Sequence, residues 1–159
     1  MTLMSKASRA MRIPPQHLDS EMALLGGIMR SADAIHEVTD IVNPESFYAD
    51  KHKAIFETML ELHSRGEPID LISLSGKLSE KSLLEKIGGR SYLTELVQST
   101  PPASNVRHYA ELVKKKHTLR RLIAAAEDIS ELGYDESKDI DELLDRAEKQ
   151  IFDISNSSN

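Results

Sequence analysis

The last third of the 159-residue chain carries two apolar stripes with the spacing of paired helices. After the Thr100-Pro101-Pro102 break, the next strong stop is Gly133, so a helix of about 28 residues is expected. Another should follow Asp139, and both repeat apolar residues in steps of three and four, which is typical of packed helical seams. The stripes are Leu119, Leu122, Ala126 and Ile129, then Ile140, Leu144, Ala147, Ile151 and Ile154.

The short connection between these helices predicts an antiparallel hairpin. A hairpin of this length cannot bury both stripes on a compact core of its own chain, so a neighbouring chain should cover them. The expected self-association residues are Leu119, Leu122, Ile140, Leu144 and Ile151. Residues 107–121 hold six basic and one acidic residue, whereas residues 127–153 hold eleven acidic and three basic. We expect this asymmetry to guide register more than stability, because exposed ion pairs contribute only ~0.2–1 kcal/mol.

The remaining sequence reads as short helices separated by Gly and Pro, with almost no strand-like alternation. Predicted helices cover residues 16–30, 31–42, 83–87 and 90–99, with Ser31 as the expected cap of the second. Two more helices should begin at the expected caps Asp50 and Asp70. Gly26 and Gly27 lie inside the first helix, where each costs about 1 kcal/mol, so another backbone should approach there. The predicted fold is all-α, a small helical globule followed by a projecting antiparallel hairpin. The expected parts are a flexible tail at 1–12, the globule at 13–100, the hairpin at 101–155 and a linker starting at 156–159.

Composition narrows the function classes. The chain has no Cys, which excludes disulfides, thiolate zinc sites and thiol nucleophiles, and makes a reducing, intracellular location the default. A net charge of −6 and 4% aromatics argue against a surface that grips phosphate backbones or stacks bases. We find no secretory signal and no apolar run near the ~18 residues of a membrane span.

Candidate catalytic and metal motifs are incomplete. Gly76-Lys77 lacks both the upstream Gly and the following Ser or Thr of a phosphate-binding loop. His36-Glu37 resembles the start of a zinc motif, but Asp40 stands at the position where that motif needs its second His. We therefore expect no catalytic, cofactor or metal residues here. One alternative stays open, a helical DNA-binding regulator that uses a face at Lys114–Lys116.

Taken together, a series of stretches in fixed order resembles the N-terminal domain of bacterial DnaB-type replicative DNA helicases over residues 13–155. These stretches are Pro14-Pro15-Gln16-His17, Glu21-Met22-Ala23-Leu24-Leu25-Gly26-Gly27, Pro44-Glu45-Ser46-Phe47-Tyr48, Ile55-Phe56 with Leu60, Gly66-Glu67-Pro68-Ile69-Asp70-Leu71, Ile87-Gly88-Gly89 followed by Tyr92-Leu93, Thr100-Pro101, Asn105-Val106, Tyr109-Ala110 and Ile151-Phe152. No single stretch is specific, but their order and spacing are.

The resemblance implies partners as well as a fold. In that family neighbouring copies pair through the hairpins, and six copies form a ring described as a trimer of dimers. A DnaG-type primase and helicase loaders bind the ring, which acts on DNA at the replication fork in the bacterial cytoplasm. ATP and Mg belong to a separate motor domain with a P-loop, so we expect this chain to be part of a longer protein. For primase contact the resemblance points to Tyr92, Ile123 and Ile129, although each could equally be core, and Ile129 more so because it lies on the hairpin stripe.

Overall fold

The computed structural model describes residues 12–31, 33–101 and 105–158, so residues 1–11 of the expected tail lie outside it. Within those ranges the chain forms seven α-helices, one 3₁₀ turn at Pro44–Ser46 and no strand, which confirms the all-α prediction. The helices are α1 Leu18–Arg30, α2 Ala34–Val38, α3 Asp50–Ser64, α4 Leu71–Glu80, α5 Gly89–Ser99, α6 Val106–Gly133 and α7 Ile140–Ser158. No helix in the described part is long and apolar enough to cross a bilayer.

The described residues divide into two compact units, a globular unit within residues 17–117 and a hairpin unit of residues 118–158 together with 12–16. This division differs from the boundary at residue 100 that the Pro-rich break suggests. The reason is that the first turns of α6 carry Val106, Ala110 and Val113, which are buried in the globular core. Helix α7 also continues to Ser158, so residues 156–158 are helical where a linker was expected to start.

The globular core is built from the inward stripes of α1 to α5 together with the first turns of α6. Its fully buried side chains include Leu24, Leu25, Ile28, Ile35, Ile55, Phe56, Met59, Leu74, Leu78, Leu93 and Leu96. Asp70 caps α4 as predicted, because its carboxylate accepts a hydrogen bond from the Ser73 backbone N–H at 2.7 Å. Apolar spacing was sufficient to place these helices, since one face of each turns inward.

Two predicted helices differ in the structure. The stretch Leu83–Ile87 forms turns instead of a helix, and it ends at Gly88 and Gly89 with φ of +110° and +75°. That left-handed backbone is the reason glycine is needed there. Helix α2 covers only Ala34–Val38, and Ser31 does not cap it because Asp33 occupies the capping position.

The glycine pair in α1 marks a close approach between α1 and α5. A Cβ at Gly26 would overlap the Leu96 carbonyl oxygen and the Thr100 hydroxyl, and one at Gly27 would crowd Val106. The prediction of a backbone approach is therefore confirmed at Gly26, whereas the neighbour of Gly27 is the Val106 side chain. The Thr100 hydroxyl donates to the Leu96 carbonyl at 2.7 Å, so the atoms that face Gly26 are themselves fixed.

Gly26→Ala should destabilise the chain by about 2 kcal/mol or more, because backbone atoms of α5 must move to admit the methyl group. Gly76→Ala is the matched control, since Gly76 lies in α4 with nothing within 4 Å of an added Cβ. That control should gain up to about 1 kcal/mol from helix propensity. Urea unfolding followed by circular dichroism measures both changes, and equal effects at the two sites would contradict the close approach.

Candidate functional site

The hairpin unit is an antiparallel pair formed by the second half of α6 and α7. The Arg121 guanidinium donates to the Ser157 hydroxyl and, at 3.5 Å, to the Asp153 carbonyl. Farther along α6, Ile129 lies beside the earlier part of α7 at Ala147. Arg121 thus meets the end of α7 as the charge asymmetry predicts, although both of these bonds go to neutral oxygens. The buried apolar contacts inside the pair are Ala125, Leu143 and Ile154.

Helix α7 has more apolar surface than α6 can cover. Leu143 and Ile154 are 9% exposed and face α6, whereas Ile140, Leu144 and Ile151 are 62%, 53% and 46% exposed. The exposed residues lie about 40–100° farther around the helix at 100° per residue. The predicted stripe is therefore open to solvent on this chain, and only its last member, Ile154, belongs to the buried contact.

Helix α6 adds residues to the same open surface. Leu122 is 48% exposed, and Ile129, seven residues later on the same side of α6, lines a groove of about 480 Å³ with Ile151 and Phe152. Leu119 is half-buried. We define the apolar face as Leu122, Ile129, Ile140, Leu144, Ile151 and Phe152. Contiguous exposed apolar surface of this kind marks an interaction site in a folded protein.

A second feature of the hairpin unit is a groove between α6 and the chain before α1. The Arg120 guanidinium donates to the Pro15 carbonyl at 2.7 Å and holds this segment beside α6. The groove has a volume of about 660 Å³, with Ile13 and Pro14 on one wall and Ile123 and Ala124 on the other. We call it the N-terminal groove. Ile123 and Ile129 are six residues apart and therefore open on different sides of α6.

Tyr92 lies in a buried polar chain of the globular unit. Its hydroxyl is 2.6 Å from Nε2 of His52, and Nδ1 of His52 is 2.8 Å from a carboxylate oxygen of Glu21. Glu21 and His52 are 2% and 1% exposed, and Tyr92 is 9% exposed. These hydrogen bonds link α1, α3 and α5. The predicted primase-contact role of Tyr92 stays a prediction, and the structure adds that its phenol is tied inside the unit.

Glu21 also replaces the cap expected at the start of α3. Its carboxylate accepts hydrogen bonds from the backbone N–H groups of Tyr48 at 2.8 Å and Ala49 at 3.4 Å, whereas Asp50 is the first helical residue rather than the cap. With the carboxylate as acceptor, Nδ1 of His52 donates to Glu21 and Nε2 accepts from Tyr92. A negative charge at a helix N-terminus is favourable. Glu21 is therefore satisfied on both oxygens in a buried position.

The environment of Tyr92 keeps its phenol protonated. Burial, followed by the negative charges of Glu95 and Glu21, raises the pKa of Tyr92 to about 12. The Lys51 ammonium lies 4.0 Å from the centre of the Tyr92 ring and covers its outer side. The sequence carries no signal for these hydrogen bonds, because Glu21 and His52 are 31 residues apart, His52 and Tyr92 are 40 apart, and the three follow no periodic pattern.

Tyr92→Phe should destabilise the chain by about 1–3 kcal/mol, because Nε2 of His52 loses its buried donor. Tyr134→Phe is the matched control, since Tyr134 is 82% exposed, and it should change stability by less than about 0.5 kcal/mol.

The destabilisation caused by Tyr92→Phe, measured as the difference in free energy of unfolding from the wild-type chain, should become smaller between about pH 10 and 12. In that range an unfolded tyrosine ionises while native Tyr92 holds its proton, so the wild-type chain loses its advantage. Urea unfolding at several pH values measures this gap, and a gap that widens with pH would contradict the assignment.

The lysine face proposed for DNA binding does not form a single surface. Lys114, Lys115 and Lys116 are consecutive residues of α6, so their side chains leave the helix about 100° apart. Lys115 is exposed, while Lys114 and Lys116 are half-buried. In the described part of the chain, no group of three or more His, Asp or Glu side chains could hold a metal ion.

The described residues therefore define an all-helical domain whose two-helix unit carries an open apolar face. Comparison with known proteins agrees, since residues 13–115 match the family described as DnaB-like helicase N terminal domain. The replicative DNA helicase DnaB of Geobacillus stearothermophilus is 43% identical over 144 residues, which are 91% of this chain and 32% of that protein. The chain therefore belongs to the DnaB-like helicase N-terminal domain family.

Solved structures extend the match to the fold. The crystal structure of the N-terminal domain of DnaB helicase from Mycobacterium tuberculosis superposes with a TM-score of 0.84 at 38% identity, covering 89% of this chain and 99% of that one. A DnaB-like replicative helicase, solved in work on its interactions with primase, gives a TM-score of 0.73 at 28% identity over 87% of this chain and 31% of that one. The chain spans about a third of the length of the Geobacillus stearothermophilus helicase.

Proposed function

We propose that this chain is the non-catalytic assembly and partner-docking domain of a longer replicative DNA helicase. The observation that carries the proposal is the apolar face, whose residues Ile140, Leu144 and Ile151 stay about half exposed or more. The similarity to replicative helicases supports the setting, a bacterial cytoplasm at the replication fork. ATP and Mg chemistry and DNA unwinding would belong to the part of such a helicase that this chain does not span.

The proposed occupant of the apolar face is the same face of a second copy. A surface that pairs with itself about a two-fold axis gives a closed dimer without a second complementary site. Burial of Leu and Ile side chains contributes about 1.5–3 kcal/mol each when complete, so a few such residues are enough for a stable contact. Three dimers would then complete a ring of six around the helicase axis.

The proposed docking partner is a primase. One solved DnaB-like helicase that shares this fold is described together with its interactions with primase. Ile123 supports the proposal because it is 46% exposed on a side of α6 away from the apolar face, so it stays open when two copies pair. Ile129 lies on the apolar face and Tyr92 is 9% exposed, which makes Ile123 the most accessible of the three predicted contacts. A helicase loader is a further proposed partner of the ring.

Leu144→Asp should weaken self-association by roughly 100-fold or more, because a carboxylate would be buried in the contact between copies. Stability of the single copy should change little, since Leu144 is 53% exposed. Ile72→Asp is the matched control, an equally drastic change at a residue of α4 that is 73% exposed. Sedimentation velocity over a dilution series measures the dissociation constants. Equal association by wild type and Leu144→Asp would contradict the proposed face.

Ile123→Ala should weaken binding of a primase C-terminal domain at least tenfold, the size of effect expected when a central apolar contact is truncated. Ile72→Ala serves as the control and should bind like wild type. Isothermal titration calorimetry with dimers of the two variants gives both affinities. Unchanged affinity for Ile123→Ala would move the primase site elsewhere and leave the self-association proposal intact.

A further inference from the structure

Two carboxylates lie at the edge of the apolar face on α7. Counted at about 100° per residue, Glu148 lies about 60° and Asp141 about 80° from the centre of the exposed stripe. That stripe consists of Ile140, Leu144 and Ile151. Both carboxylates are exposed, and Glu148 lines the same groove as Ile151. We define the acidic rim as Asp141 and Glu148.

The basic residues of α7 lie on its other side. Arg146 lies about 140° and Lys149 about 160° from the centre of the exposed stripe. The Lys149 ammonium is engaged there, 3.4 Å from a carboxylate oxygen of Asp153. Among the described residues of α7, the edge of the stripe therefore carries negative charge alone. Residues 118–158 as a whole add to this field, with eleven acidic and five basic residues.

The exposed stripe matches itself in size when two copies of α7 run antiparallel. A symmetric overlap of its ends places Ile140 opposite Ile151 of the second copy, and Leu144 opposite Ala147 of the second copy. Ala147 lines a groove of about 480 Å³, so a leucine side chain has room there. Alternation of large and small residues across a contact lets facing helices interdigitate. The sequence of α7 thus favours a second copy, running in the opposite direction, as the occupant.

A two-fold axis that makes two α7 helices antiparallel brings the same edge of each stripe together. Asp141 of one copy then lies two residues, or about 3 Å along the helix, from the level of Glu148 of the other. The symmetry repeats this approach, so four carboxylates flank one contact. We propose that the acidic rims of two paired copies face each other, and that their repulsion makes ionic strength set how tightly the copies pair. This regulation rests on the self-association that the proposed function contains.

Salt acts differently on the two parts of such a contact. Like charges repel over a Debye length, which is about 30 Å at 0.01 M and about 10 Å at 0.1 M salt. Salt therefore screens the repulsion between the rims, whereas burial of Leu144 and Ile151 does not depend on screening. Self-association should tighten as salt is added, which is the opposite of a contact held by ion pairs.

The first test measures dissociation constants of the full chain by sedimentation velocity at about 0.01 M and about 0.5 M NaCl. The wild-type constant should fall roughly tenfold or more between the two conditions. Asp141→Asn with Glu148→Gln should pair tightly at both salt concentrations. The matched control is Glu142→Gln with Asp145→Asn, which removes two charges that lie about 120° or more from the centre of the stripe. This control should keep the wild-type salt dependence.

The second test mixes two rims of opposite charge. Asp141→Lys with Glu148→Lys should pair weakly with itself at low salt, because its rims again repel. Mixed with a fluorescently labelled wild-type chain, it should form a pair that is roughly tenfold tighter than either chain forms alone, since opposite charges then meet. Glu142→Lys with Asp145→Lys is the control and should give no such gain.

Pairing of the wild-type chain that ignores salt or weakens with it would overturn the proposal, and so would a mixed pair no tighter than the two self-pairs. Both results leave self-association itself intact. A chain that stays monomeric at every salt concentration, alone and in the mixture, would instead contradict the apolar face and the regulation together. Failure of the rim and failure of the proposed function are therefore distinguishable.

Discussion

The structure of the hairpin unit depends on one mismatch between its two helices. Helix α7 carries apolar residues over a wider arc than α6 can cover, so Leu143 and Ile154 are buried inside the pair while Ile140, Leu144 and Ile151 stay exposed. Exposed apolar side chains in contact with water cost about 25 cal/mol per Å² relative to their burial. The sequence of α7 therefore sets an exposed apolar surface on this unit before any partner is considered.

In the globular unit, three helices are held in fixed positions although the chain contains few aromatic residues. Gly26 lets α1 approach the backbone of α5, and the buried chain from Glu21 through His52 to Tyr92 ties both helices to α3. Buried polar groups are costly unless each is paired, and here each has a partner. These contacts fix the positions of the three helices relative to one another within the globular unit.

Sequence reasoning was sufficient for features that depend on local spacing and not for those that depend on distant residues. Steps of three and four located the hairpin helices, and the glycine pair in α1 indicated a close backbone approach. Spacing could not separate the buried stripe of α7 from the exposed one, because the two adjoin on one apolar side of the helix and both repeat in steps of three and four. Glu21, His52 and Tyr92 gave no local signal, and the turns at 83–87 resemble a short helix because Leu83, Leu84 and Ile87 have helical spacing.

The central claim is that a second copy covers the apolar face, and backbone hydrogen exchange resolved along the chain tests it most directly. The amides of α7 from Leu143 to Ile154 should become more protected as protein concentration rises through the dissociation constant, while those of α1 should not change. Equal protection of α7 at high and low concentration, in a domain that remains folded, would contradict the account.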